Sequence, residues 1–145
     1  MRSIIFPLTF LSLFILTACG QQASSGPFIE PDTSWPEECR NQRYFPEEFP
    51  LDVVYPRSVP LDGYEMDSDY DESLIGNFCT KDTAENIVAW YRNTFEPQGY
   101  EYSTMETVHY LKSPNQTVFL DIVKELGIYV KYSVDVRWGD SQIPF

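Results

Sequence analysis

Residues 82–99 read DTAENIVAWYRNTFEPQG, and residues 128–137 read IYVKYSVDVR. The two stretches carry different periods. In the first, Ala84, Ile87, Val88, Tyr91 and Phe95 recur at helical spacing and share one face. Asp82-Thr83-Ala84-Glu85 has the spacing of a capping box with Asp82 as the cap, and Pro97 and Gly99 supply the stop. Trp90 falls out of phase with the stripe and is expected to be partly exposed. In the second stretch Ile128, Val130, Tyr132, Val134 and Val136 alternate with Tyr129, Lys131, Ser133, Asp135 and Arg137, as a strand with one buried face requires. A helix with one apolar stripe and a sheet with one apolar face bury each other. The pattern therefore predicts an α+β fold: an antiparallel sheet with one main helix packed on one face, in two layers and in the order strands, helix, strands.

Outward from the helix, turn signals at residues 113–116 and 125–127 cut the C-terminal part into further strands near Tyr100–Ser103, Thr107–Lys112 and Thr117–Lys124, an antiparallel meander. Upstream, Pro46, Pro50, Pro56 and Pro60 lack amide donors and exclude a long helix before residue 80. Short strands are expected near Leu51–Tyr55, Val59–Met66 and Leu74–Thr80, with an acidic turn from Asp67 to Glu72. Residues 20–38 are rich in Gly, Ser, Pro and Gln without an apolar period and read as a flexible tether.

The chain has 145 residues, with 22 Asp and Glu against 10 Lys and Arg, and 16% of its residues are aromatic. The aromatic content excludes a disordered chain, the length excludes a multidomain enzyme, and the acidic balance excludes a basic nucleic-acid binder, because a phosphate backbone needs cations to neutralise it.

The first residues give an address. Arg2 precedes an apolar run from Ile4 to Leu16, too short and too interrupted to span a membrane, and Leu16-Thr17-Ala18-Cys19 follows. This tetrapeptide resembles the lipobox of bacterial lipoproteins. The resemblance implies cleavage before Cys19, lipidation of Cys19 with diacylglycerol and in many bacteria a further acyl chain, and so an anchor in the membrane. Gly20 stands where an inner-membrane retention signal has Asp, so the resemblance favours the outer membrane where the host has one. The divisions expected are 1–18 signal peptide, 19–38 lipidated N-terminus and tether, and 39–145 a single α+β domain. Lipidation also removes the odd cysteine of three. Cys39 and Cys79, left in an oxidising compartment, are expected to form a disulfide.

A second resemblance runs over residues 51–138. Val54-Tyr55-Pro56-Arg57-Ser58, then Thr80-Lys81-Asp82-Thr83-Ala84-Glu85-Asn86-Ile87, Trp90-Tyr91, Phe95 and Gly99-Tyr100, resemble a module of small bacterial lipoproteins of uncharacterised function. Arg57 stands where that module has glycine, and the resemblance implies a fold without an activity.

Motifs for catalysis are missing: there is no GxSxG, SxxK, HExxH, P-loop or GxGxxG. His109, the one histidine, falls inside an expected strand. The run Asp67-Ser68-Asp69-Tyr70-Asp71-Glu72 starts like a calcium loop but has Glu72 at position 6 and Phe78 at position 12, where the loop needs glycine and a bidentate glutamate. No metal or cofactor is expected. Asp67, Asp69, Tyr70, Asp71 and Glu72 are instead the candidate surface for a basic protein or a small ligand. The expected function is that of a membrane-anchored envelope lipoprotein with a non-catalytic binding or structural domain. The alternative, from the surplus of acids, is a small envelope hydrolase of the carboxylate-pair glycosidase type.

Overall fold

The computed structural model of the chain describes residues 26–67 and 72–139. The signal segment, Cys19 and four members of the acidic run, Ser68, Asp69, Tyr70 and Asp71, lie outside the described residues. The fold is α+β, with six antiparallel strands in one sheet and one main helix. A short helix α1 (Glu37–Arg40) is followed by β1 (Val59–Asp67), β2 (Glu72–Thr80), the main helix α2 (Ala84–Phe95), then β3 (Glu101–Met105), β4 (Val108–Lys112), β5 (Gln116–Leu126) and β6 (Tyr129–Trp138). The strands lie in the order β1-β2-β6-β5-β4-β3, so the last strand returns to the middle and joins the first hairpin to the meander.

The alternation expected for β6 sets the register of both faces. Val130, Tyr132, Val134 and Val136 are buried, and they pair with Thr80, Phe78, Gly76 and Leu74 of β2. Ile87, Tyr91 and Phe95 of α2 belong to the same buried cluster, together with Leu111, Val118 and Leu120 of the meander. Trp90 is half-buried and meets Tyr55 and Tyr91 edge-on at 5.5 and 4.9 Å. Ile128 departs from the expected row: it is 59% exposed, in the two-residue turn Gly127–Ile128 that links Leu126 to Tyr129.

Three expectations are corrected. The helix starts one residue later than the capping-box spacing suggests. Thr83 is the cap, its side chain accepting from the Asn86 amide at 3.2 Å. Asp82 is drawn away by other donors, the Tyr55 hydroxyl at 2.6 Å, the Thr83 amide and the Asn86 side-chain amide. Residues Leu51–Val53 form a 3-10 turn, not a strand. Val53 and Val54 are both buried, at 1% and 2%, and adjacent side chains of a strand cannot both face one core. Residues 26–38, finally, do not behave as free tether. Phe28 packs on the main cluster, Trp35 is 8% exposed and meets Tyr129 in a tilted ring contact at 4.9 Å, and the backbone of Pro27 and Ile29 bonds to Ser58. Composition hides these anchors because two aromatic rings among many polar residues carry the docking.

The Cys39–Cys79 disulfide is present, with Cα atoms 5.5 Å apart and both residues fully buried. It ties α1 to the end of β2, within a second small cluster that includes Trp35, Val59, Leu61 and Tyr129. The outer edge of β1 is covered as well. The Arg43 amide donates to Leu61 and the Gly63 amide to Tyr44, which blunts an edge that would otherwise pair with another chain. Gly63 faces Gly76 across the hairpin, and a Cβ at Gly63 would stand 2.7 Å from the Ile75 carbonyl oxygen and the Pro46 ring. The bare backbone lets the 45–49 segment lie against the sheet.

Arg57 has φ of 61°, the left-handed region that glycine occupies at little cost. Its carbonyl accepts from the Thr80 hydroxyl at 3.3 Å, which helps hold the turn in this shape. Arg57→Gly is expected to raise stability by about 0.5–1 kcal/mol, read from urea unfolding. A loss of stability would mean that the arginine side chain contributes more than its backbone costs.

Candidate functional site

Asp67 and Glu72 form the last rung of the β1–β2 pair, and Glu72 faces Trp138 on β6. Strand alternation puts Asp67 on the same face as Glu65, Glu72 on the same face as Leu74, and Trp138 on the same face as Val136. Glu48 reaches this end of the sheet from the turn before Phe49. That ring is 2% exposed and sits against Gly76, where an added Cβ would lie 3.0 Å from it. The outcome is a recess of about 500 Å³ lined by Glu48, Glu65, Asp67, Glu72, Leu74 and Trp138, with Met66 and Ser73 completing the wall. Among the described residues no Lys or Arg lines it. The recess thus combines carboxylates, one indole and an aliphatic floor, a combination suited to a cation that also carries apolar surface.

Of the five residues singled out in the acidic run, the structure brings Asp67 and Glu72 into this recess, and the other three lie outside the described residues. The sequence reading missed Glu48, Glu65 and Trp138. Glu65 and Trp138 carry a weak signal, each two residues from a named neighbour on the same strand face. Glu48 carries none, because only the docking of Phe49 brings it there. Phe78, the twelfth position of the calcium-loop comparison, is a fully buried core residue. Among the described residues no group of three or more His, Cys, Asp or Glu is arranged to hold a metal ion.

His109 lies elsewhere, in a groove of about 390 Å³ beneath α2 with Val88, Ala89, Arg92 and Ile122. Its Nδ1 is 2.8 Å from the Tyr102 hydroxyl, and the Arg92 guanidinium stacks over the Tyr102 ring at 4.5 Å. Burial pushes the His109 pKa down, against the pull of Asp121. Among the described residues three carboxyls have shifted pKa values, and all are lowered by donors: Asp32 by Ser34, Glu38 by Lys124, and Asp82 by Tyr55 and Asn86. A general acid needs the opposite, a carboxyl kept protonated by an apolar or like-charged setting. Tyr55 is pushed up to about 12, by burial first and then by the Asp82 carboxylate that accepts its hydrogen bond. Tyr132 and Tyr91 are fully buried, and burial raises both.

No family model, no curated protein and no solved structure matches this chain. The chemistry of the recess is therefore the basis for assigning a role.

Proposed function

We propose that this protein is a lipoprotein of the bacterial cell envelope, anchored through acylated Cys19 to the outer membrane where the host has one. Its domain, two layers in the order strands, helix, strands, is non-catalytic and binds a basic protein or a small cationic ligand at the acidic recess. The recess supports this best, because Glu48, Glu65, Asp67 and Glu72 surround one indole with no Lys or Arg in the lining among the described residues. The mature chain strengthens the bias. Loss of Arg2 with the signal segment leaves 9 Lys and Arg against 22 Asp and Glu, a net charge of −13 with His109 neutral. Such a field steers cations in and turns anionic headgroups and nucleic acid away, leaving membrane attachment to the acyl chains.

The test has two arms. Cys19→Ala is expected to abolish acylation and release the protein from membranes, measured by intact mass and fractionation; unchanged membrane association overturns the anchor. Capture from envelope extract is expected to retain basic partners whose association slows by about 10-fold between low and high salt. The variant with Glu48→Gln, Asp67→Asn and Glu72→Gln should lose that salt dependence. Partners that are acidic, or indifferent to salt and to the variant, overturn the binding site.

A further inference from the structure

A second cleft, of about 650 Å³, lies apart from the acidic recess and shares none of its residues. Three chain segments meet in it: Glu30 and Asp32 from the N-terminal segment, Tyr55 and Arg57 from the turn before β1, and Lys81 and Asp82 from the link between β2 and α2. The Tyr55–Asp82 hydrogen bond and the Thr80 bond to the Arg57 carbonyl hold the last two segments together, and Ser58 bonds the first through Pro27 and Ile29.

The charges in the cleft differ in how they are used. Asp82 is satisfied by three donors, and Asp32 accepts from the amide and hydroxyl of Ser34. Elsewhere Arg92 pairs with Glu96, Lys124 and Lys131 with Glu38, and Arg137 with Asp135, while Arg40 donates to the Trp35 carbonyl and Arg43 pairs with no acid among the described residues. Arg57 and Lys81 form no ion pair or side-chain hydrogen bond among the described residues, although carboxylates line the same cleft. Lys81 contributes only a field that lowers the Asp32 pKa. Both are exposed. The guanidinium is moreover carried on a residue whose backbone is in a region costly for any side chain, and such positions concentrate at ligand-binding sites.

We propose that this cleft binds a small zwitterion, taking its anionic oxygen group on Arg57 and Lys81 and its primary ammonium on Glu30 and Asp32. A simple anion would meet the carboxylates of Glu30, Asp32 and Asp82, and a simple cation would meet the two bases; a molecule carrying both groups satisfies both. The planar fork of Arg57 suits a phosphate or carboxylate, and an ammonium with its own N–H groups suits two carboxylates better than a quaternary one. Phosphoethanolamine has this chemistry and occurs both free and as a phospholipid headgroup.

Titration of the full chain with phosphoethanolamine, followed by backbone amide shifts, is expected to saturate and to move Glu30, Arg57 and Lys81. Arg57→Gly and Lys81→Gln should each weaken binding by about 5-fold or more, the range expected for losing one charged hydrogen bond. Arg57→Gly removes the guanidinium while relieving the backbone, so its loss of binding is not a loss of fold. Inorganic phosphate, ethanolamine and phosphocholine are the controls, and each should bind more weakly than phosphoethanolamine. Binding of phosphate as tight as that of phosphoethanolamine, affinity unchanged in both variants, or no saturable shift would overturn the proposal. Capture on vesicles containing phosphatidylethanolamine, sensitive to Arg57→Gly, assigns the group to a lipid headgroup; binding of the free compound without vesicle capture assigns it to a soluble ligand.

Discussion

Replacing Cys39 and Cys79 together by alanine is expected to lower the stability of the domain by about 3–4 kcal/mol. The bridge closes a loop with a sequence separation of 40 residues, and releasing such a loop returns roughly that much chain entropy to the unfolded state. Both residues are fully buried beside Trp35, Val59, Leu61 and Tyr129, so the loss will not be confined to the unfolded state. Trp35 and α1 should undock first: the Tyr129 contacts and the exposed Glu38 ion pairs are left to hold them, whereas Phe28 and the backbone bonds at Ser58 fasten the segment further upstream. Denaturant unfolding gives the free energy, and Trp35 fluorescence reports the undocking. A change below about 1 kcal/mol would show that packing alone fastens the segment.

Phe78→Ala is expected to cost as much, about 3–5 kcal/mol, by removing a fully buried ring from a packed core. Phe78 stacks on Tyr132 at 5.2 Å and meets Phe45 and Phe49 at 5.4 and 5.5 Å, with Phe28 at 6.2 Å. It joins parts of the chain that share no hydrogen-bonded strand: the N-terminal segment, the 45–49 turn and the middle of the sheet. The cavity left behind cannot close without moving all of them, so the substitution should also loosen Glu48 and reshape the acidic recess. Phe78→Leu keeps most of the volume and should cost less than half as much. Thermal unfolding of the two variants side by side separates cavity formation from a general intolerance of change at this position.

These two substitutions fall on opposite sides of what the amino-acid sequence reveals. The cysteine pair follows from counting on the reading that the chain is exported and Cys19 lipidated, which leaves two cysteines, and the bridge between those two is there. The role of Phe78 does not follow, because its strand reads as apolar at nearly every second position and nothing local says that four other rings converge on this one.

What the sequence determined by itself is local and periodic. The stripe Ile87, Tyr91 and Phe95, the alternation of β6, the stop at Gly99 with φ of 90° and the hairpin boundaries all depend on neighbours within a few residues, and backbone geometry enforces them wherever the chain goes. Tertiary structure decided whatever depends on competition between distant partners. Asp82 had the right spacing for a cap, but Tyr55, 27 residues away, offered its carboxylate a half-buried donor, and Thr83 capped the helix instead. Residues 26–38 had the composition of a tether, yet two rings found hydrophobic sites against the sheet. The same holds for both candidate sites. Glu48 joins Asp67 and Glu72 only because Phe49 docks beside Gly76, and Glu30 meets Arg57 and Lys81 only because the first described segment pairs with Ser58. A periodic pattern says which face of an element is buried; which element it is buried against depends on the fit of whole surfaces, and that is settled only when the chain has closed on itself.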